Sequence, residues 1–140
     1  MELEVVCIKK WRLLMTVFFS IMTFLLGCGN EAIQMTKVVF IETHEDGSYG
    51  AEITISEEKK LDDLESMFKE VKWEKSIPSM GRKEDVLVKV TYENKKQNVE
   101  YNIWFNQNGK AELLSSDMNE GYGRLNKDTS KSLLKVLLNK

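Results

Sequence analysis

From residue 35 onward, the hydrophobic residues first recur with the period of a β-strand. Residues 35–43 are rich in β-branched and aromatic side chains, and residues 51–55 resume the alternation after turn residues at 45–48. Asp, Gly and Ser between two alternating runs are typical of a β-hairpin. The pattern therefore predicts that the first two strands pair with each other.

Two later segments change to the period of a helix. Residues 57–70 place apolar side chains three or four positions apart, and Ser56 stands where an N-cap is expected. Residues 127–138 follow Asn126, a second favourable N-cap, and carry a broad leucine-rich side. Each predicted helix therefore has one apolar side that needs to be covered.

The clearest strand signal lies between these helices. Residues 85–92 and 99–105 alternate apolar and polar side chains, and the polar stretch between them predicts a hairpin. Asn108-Gly109 is typical of a two-residue turn, which returns residues 110–115 against the preceding strand. We therefore expect a three-stranded meander.

The order of these elements predicts an α+β domain with an antiparallel sheet of about five strands and two helices on one face. A further short strand is expected around Trp73, ended by Pro78. Order and lengths are compatible with a TBP-like arrangement. That comparison is an analogy of fold and carries no function.

The expected strand pairing brings three apolar side chains together on the face away from the helices. If Tyr92 pairs with Val99, Leu87 lies opposite Trp104, and a two-residue Asn-Gly turn places Leu113 opposite Trp104 as well. Leu87, Trp104 and Leu113 then form an apolar strip.

Two interpretations of this strip stay open. Residues 73–82 fold over and cover it, which is favoured because small domains rarely leave such a strip bare, or it is exposed to a protein or glycan partner. The predicted loop at residues 120–124 has the same ambiguity. In the favoured structural interpretation, Tyr122 packs over the start of the second helix and Arg124 pairs with a nearby acid. In the other, both belong to a recognition loop.

The first 28 residues follow the pattern of an export signal. Three basic residues precede an uncharged apolar run, residues 13–26, and Leu-Leu-Gly-Cys stands at residues 25–28. This order resembles a bacterial lipoprotein signal peptide, in which Cys28 takes a diacylglyceryl group and residues 1–27 are removed. The run is shorter than the ~20 residues that span a bilayer, so an uncleaved anchor is the weaker interpretation.

Cleavage would leave residues 28–34 as a lipidated tether and residues 35–140 as a single domain. Acyl chains such as palmitate on Cys28 would hold that domain on the outer face of the cytoplasmic membrane. Of 20 Lys and Arg residues, three precede Cys28, and of 22 Asp and Glu residues, two do, which leaves 17 and 20. This mildly acidic balance argues against nucleic-acid binding.

The mature chain offers few groups for catalysis. Its one histidine, His44, lies in a predicted turn beside Glu45 and Asp46, without a distant third ligand or a nucleophile motif. We therefore expect no metal, no cofactor and no enzymatic activity, and interpret the chain as a binding or accessory domain. The alternatives are a small envelope hydrolase using carboxylates such as Glu100 and Glu120, and a lipoprotein that blocks another envelope protein.

Three short motifs resemble a known family. Lys-Trp-Glu at residues 72–74, Tyr-Asn-Ile-Trp-Phe-Asn at 101–106 and Glu-Gly-Tyr-Gly-Arg-Leu at 120–125 are similar to small YhfM-like lipoproteins of Gram-positive bacteria. The resemblance covers most of the mature domain, roughly residues 38–138. It implies membrane anchoring, but the family has no established activity to assign to these residues.

Overall fold

Seven strands form one antiparallel sheet in the computed structural model, which describes residues 34–139. The strands are β1 (Met35–Thr43), β2 (Tyr49–Ile55), β3 (Lys72–Glu74), β4 (Val86–Tyr92), β5 (Val99–Phe105), β6 (Ala111–Ser115) and β7 (Tyr122–Leu125). Their order in the sheet is β2-β1-β4-β5-β6-β7-β3. The helices are α1 (Glu58–Lys69) and α2 (Lys127–Leu138).

The α+β class is confirmed, but the expected number of about five strands is wrong. The first hairpin, the central meander and the short strand around Trp73 form as predicted, and β7 is added where a loop was expected. Its four residues, one of which is Gly123, are too few to give a period-2 signal. β7 forms because both its edges find partners, β6 on one side and β3 on the other.

One core fills the space between the helices and one face of the sheet. Val86, Val88 and Val90, alternate residues of β4, are fully buried, as are Leu64 of α1 and Leu133 of α2. The side chains between those valines are only partly buried, so the sheet has a covered helix face and a more open second face.

The two helix starts differ from each other in their caps. Asn126 caps α2 as predicted, because its side-chain oxygen accepts a hydrogen bond from the Thr129 N–H at 2.9 Å. The prediction of Ser56 as the N-cap of α1 is wrong. The helix begins one residue later, so Glu57 occupies that position and its side chain makes no capping hydrogen bond.

The connection from β3 to β4 crosses the second face. β3 lies at the edge of the sheet and β4 is separated from it by three strands, so residues 75–85 must pass over those strands. The crossing runs on the second face, where the Arg82 carbonyl accepts a hydrogen bond from the Trp104 indole. This segment therefore covers part of the surface that was considered for partner binding.

Candidate functional site

The second face carries only part of the predicted apolar strip. Leu87 and Trp104 both lie on the second face. The residue directly opposite Leu87 is Asn102, so Leu87 and Trp104 are diagonal rather than direct neighbours. Leu113 lies on the helix face, where it pairs with Ile103 and is fully buried. The strip of Leu87, Trp104 and Leu113 is therefore wrong in its third member, and Leu113 cannot contact a partner.

The length of one turn explains this error. The Asn106 N–H donates to the Lys110 carbonyl at 2.9 Å, so three residues rather than two connect β5 to β6. Gly109 ends this loop with a φ of 81°, which suits glycine. One extra residue turns every later side chain of β6 to the other face, which brings Leu114 to the second face and Leu113 to the core.

The expected pair of Tyr92 with Val99 is also wrong, because Val90 is the residue opposite Val99. The loop between β4 and β5 is longer than the alternation suggested. A shift by two residues keeps every side chain on its predicted face. This error therefore leaves the face of Leu87 unchanged.

Trp104 is covered rather than open to a partner. Only 4% of the residue is exposed, and its indole N–H donates to the Arg82 carbonyl at 3.0 Å. Asp85 holds this covering segment against β5, since it accepts a hydrogen bond from the Phe105 N–H at 2.6 Å and pairs with the Arg82 guanidinium. That carboxylate also raises the pKa of Arg82.

The two glycines of the predicted 120–124 loop are each required for a different structural reason. Gly121 has a φ of 79°, a conformation that other residues rarely adopt. Gly123 lies on the helix face, where an added Cβ would come within 2.3 Å of the Val71 side chain and 2.7 Å of the Trp73 ring. Close approach of β3 to β7 therefore requires glycine at position 123.

Tyr122 and Arg124 alternate with Gly123 and lie on the second face. Arg124 Nη2 donates to Glu74 Oε2 at 3.1 Å, so the expected pairing with an acid is present. Its guanidinium carbon lies 5.4 Å from the centre of the Tyr122 ring. The expectation that Tyr122 packs over the start of α2 is wrong, because that helix covers the other face.

A polar pocket is built around Glu112, a residue that the sequence reasoning missed. Glu112 of β6 lies directly opposite Arg124 of β7. Hydrogen bonding from the Tyr122 hydroxyl and the Asn106 amide, with the charges of Arg124 and Arg82, lowers the pKa of Glu112. Burial in turn raises the pKa of Tyr122. The carboxylate is therefore held in its ionised form among four groups that can donate hydrogen bonds.

The pocket has a volume of about 340 Å³ and opens to solvent at the β5–β6 turn. It is lined by Asn106, Asn108, Lys110, Ala111, Glu112, Tyr122 and Arg124. Two of the predicted binding residues, Tyr122 and Arg124, thus line the same pocket, while Trp104 and Leu87 lie outside its lining. If the sequence had been interpreted with a three-residue turn between β5 and β6, it would have predicted Glu112 on the second face.

The two carboxylates considered for a hydrolase lie on opposite faces of the sheet. Glu100 faces Lys89 on the second face, with 3.8 Å between the charged atoms. Glu120 accepts hydrogen bonds from Ser115 at 2.6 Å and from Tyr101, whose side chain points into the core. This pair cannot flank one glycosidic bond, which requires two carboxyl groups on either side of the same substrate.

The polar network around Tyr101 is structural. Its hydroxyl is 3.0 Å from that of Tyr92, and its ring packs edge-on against Phe68 with centroids 4.7 Å apart. Burial raises the pKa of Tyr92 to about 12 and that of Tyr101 further in the same direction. Both hydroxyls therefore stay neutral and serve as fixed hydrogen-bonding groups inside the core.

His44 lies exposed in the turn between β1 and β2. The Gly47 N–H donates to its main-chain carbonyl at 2.8 Å, and its ring lies beside Gly50. Among residues 34–139, no three His, Cys, Asp or Glu side chains are placed to hold a metal ion together.

The predicted lipidation site, Cys28, and the predicted signal peptide lie outside the described residues. Neither α1 nor α2, each of 12 residues, is long and apolar enough to cross a bilayer.

The fold and pocket define a small α+β domain whose open sheet face carries a polar site. The family model described as YhfM protein matches residues 34–140. The chain therefore belongs to the YhfM family. No curated protein and no solved structure matched the chain, so the TBP-like arrangement stays a prediction.

Proposed function

We propose that the chain is a lipoprotein anchored to the outer face of the cytoplasmic membrane, whose domain binds an envelope glycan without catalysing a reaction. The Leu-Leu-Gly-Cys motif that ends at Cys28 supports the anchoring. The binding function rests on one observation, the pocket lined by Glu112, Tyr122, Asn106 and Arg124, in which Glu112 lies directly opposite Arg124.

The chemistry of the pocket suits a ligand rich in hydroxyl groups. A carboxylate accepts hydrogen bonds from sugar hydroxyls, while amide and guanidinium groups donate to their oxygens. Half of the Arg124 side chain is exposed, so it can reach a ligand while it contacts Glu74. A volume of about 340 Å³ lies at the lower end of the range for small-molecule sites and suits one or two sugar units.

Titration of purified residues 34–140 with envelope-derived oligosaccharides tests this proposal, because residues 34–139 share one hydrophobic core. We expect Arg124→Gln to weaken binding roughly tenfold, the effect of losing a charge-assisted hydrogen bond. Lys131→Gln, a change of an exposed cation on α2, is the matched control and should leave affinity unchanged.

The same samples distinguish binding from hydrolysis. Chromatography of the oligosaccharide after long incubation should show it intact. Cleavage that depends on Glu112 would favour the hydrolase alternative, and an affinity that is equal for Arg124→Gln and Lys131→Gln would remove the pocket from the proposal.

A further inference from the structure

The first strand, β1, begins at the end of the sheet that also carries the β4–β5 loop. β1 begins at Met35, and the Glu93 N–H donates to the Gln34 carbonyl at 3.0 Å. Lys95 Nζ lies 2.6 Å from Asp117 Oδ2, which joins the β4–β5 loop to the β6–β7 loop. The start of β1 and these two loops therefore form one continuous surface.

We call this surface the proximal end and define it as residues 93–98 and 116–121. Met118 at its tip is 94% exposed, the most exposed large apolar side chain among the described residues. The rest of this surface is polar. It carries Lys95 and Lys96 against Glu93, Asp117 and Glu120, and Lys95 pairs with Asp117. The proximal end thus presents one highly exposed apolar side chain on a polar surface without an excess of positive charge.

The length of the tether restricts where this end can lie. Six residue steps separate Cys28 from Gln34, and a fully extended chain covers at most about 3.6 Å per residue, or about 22 Å in all. A lipid on Cys28 would therefore keep the proximal end, from which the tether emerges, within that distance of the bilayer surface.

We propose that the proximal end rests on the lipid headgroups, with the Met118 side chain in the interface. This inference rests on the proposed lipidation of Cys28. One methionine is too small to hold a free domain on a membrane, but the acyl anchor keeps the surface at high local concentration. The contact therefore orients the domain rather than recruits it.

The orientation has a consequence for the Glu112 pocket. The pocket opens at the β5–β6 turn, at the other end of the strands from Met118. β5 has seven residues, which corresponds to about 20 Å between the two ends at ~3.3 Å per residue. Contact at the proximal end would turn the pocket away from the membrane and toward the cell wall.

Site-specific labelling of the full-length, lipidated protein tests this orientation. The chain has two cysteines, Cys7 in the predicted signal peptide and Cys28, so an acylated, mature protein has no other thiol. Met118→Cys and Gln107→Cys, the second in the exposed β5–β6 turn, would each carry an environment-sensitive fluorophore. The proteins are reconstituted in vesicles of phosphatidylglycerol and phosphatidylethanolamine that contain spin-labelled lipid.

We expect the label at position 118 to be quenched several-fold more strongly than the label at position 107. Equal quenching at both positions, in protein whose acylation is verified by mass spectrometry, would overturn the orientation and leave the anchoring intact. Absence of any lipid on Cys28 would overturn both the anchoring and the orientation.

Discussion

The indole N–H of Trp104 donates a hydrogen bond to the main-chain carbonyl of Arg82, 3.0 Å away, and joins the crossing segment to the central sheet. Asp85 strengthens this attachment, because it binds both Arg82 and the Phe105 N–H. Trp104 thus helps to hold the β3–β4 connection against the second face.

Trp104→Ala should therefore destabilise the domain substantially. Removal of a buried aromatic side chain costs ~3–5 kcal/mol, and the Arg82 carbonyl also loses its donor. Ile77→Ala in the same connection is the control, since Ile77 is 78% exposed and its loss should change stability by less than ~0.5 kcal/mol. Urea unfolding of residues 34–140 measures both, and equal losses would show that Trp104 is not part of the core.

Much of the fold was predictable because its signals are local. Asn126 as a cap, the leucine-rich side of α2 and the alternation in β4 each depend on neighbouring residues, and all three form as expected. Leu113 shows where local reasoning ends. Its face depends on whether the Asn-Gly turn contains two residues or three, and both lengths are compatible with that dipeptide.

The candidate site depends on contacts that the sequence does not display. Glu112 and Arg124 are 12 positions apart and meet only because β7 pairs with β6. β7 itself is specified by close packing of Gly123 against Val71 and Trp73, not by an alternating pattern. The proximity of Tyr122 and Arg124 was therefore predictable from their motif, but the position of Glu112 beside them was not.

Gly123→Ala tests that packing directly. A methyl group at this position would overlap the Val71 side chain and the Trp73 ring, so we expect a loss of ~1–3 kcal/mol from overpacking. Gly81→Ala is the matched control, because an added Cβ there meets nothing within 4 Å, and stability should stay the same or rise by up to ~1 kcal/mol. Similar denaturation midpoints for the two variants would contradict the close approach of β3 and β7.

Cys28→Ala tests the anchoring. Because acylation of the thiol precedes cleavage, the variant should take up no labelled palmitate and should accumulate as a precursor of higher mass. Cys7→Ala leaves the Leu-Leu-Gly-Cys motif intact and should be labelled and processed normally. Labelling that persists in Cys28→Ala would place the lipid elsewhere or remove the lipoprotein assignment.

Glu112→Gln should change how stability depends on pH. Hydrogen bonding from Tyr122, with a smaller contribution from Asn106, holds the pKa of Glu112 below its usual 4.5. A depressed folded-state pKa contributes stability above the unfolded-state pKa, and that contribution is lost as the pH falls through the folded-state value. The wild type should therefore be more stable than Glu112→Gln near neutral pH, with the difference shrinking in acid below 4.5.

Urea midpoints measured at about pH 7 and about pH 3 give this difference directly, on the assumption of equal unfolding slopes. Glu93→Gln, in an exposed loop, controls for the loss of one negative charge. A gap between wild type and Glu112→Gln that is as large in acid as at neutral pH would mean that the carboxylate contributes through shape rather than charge. In that case the ionised Glu112 could not be the acceptor around which the pocket is organised.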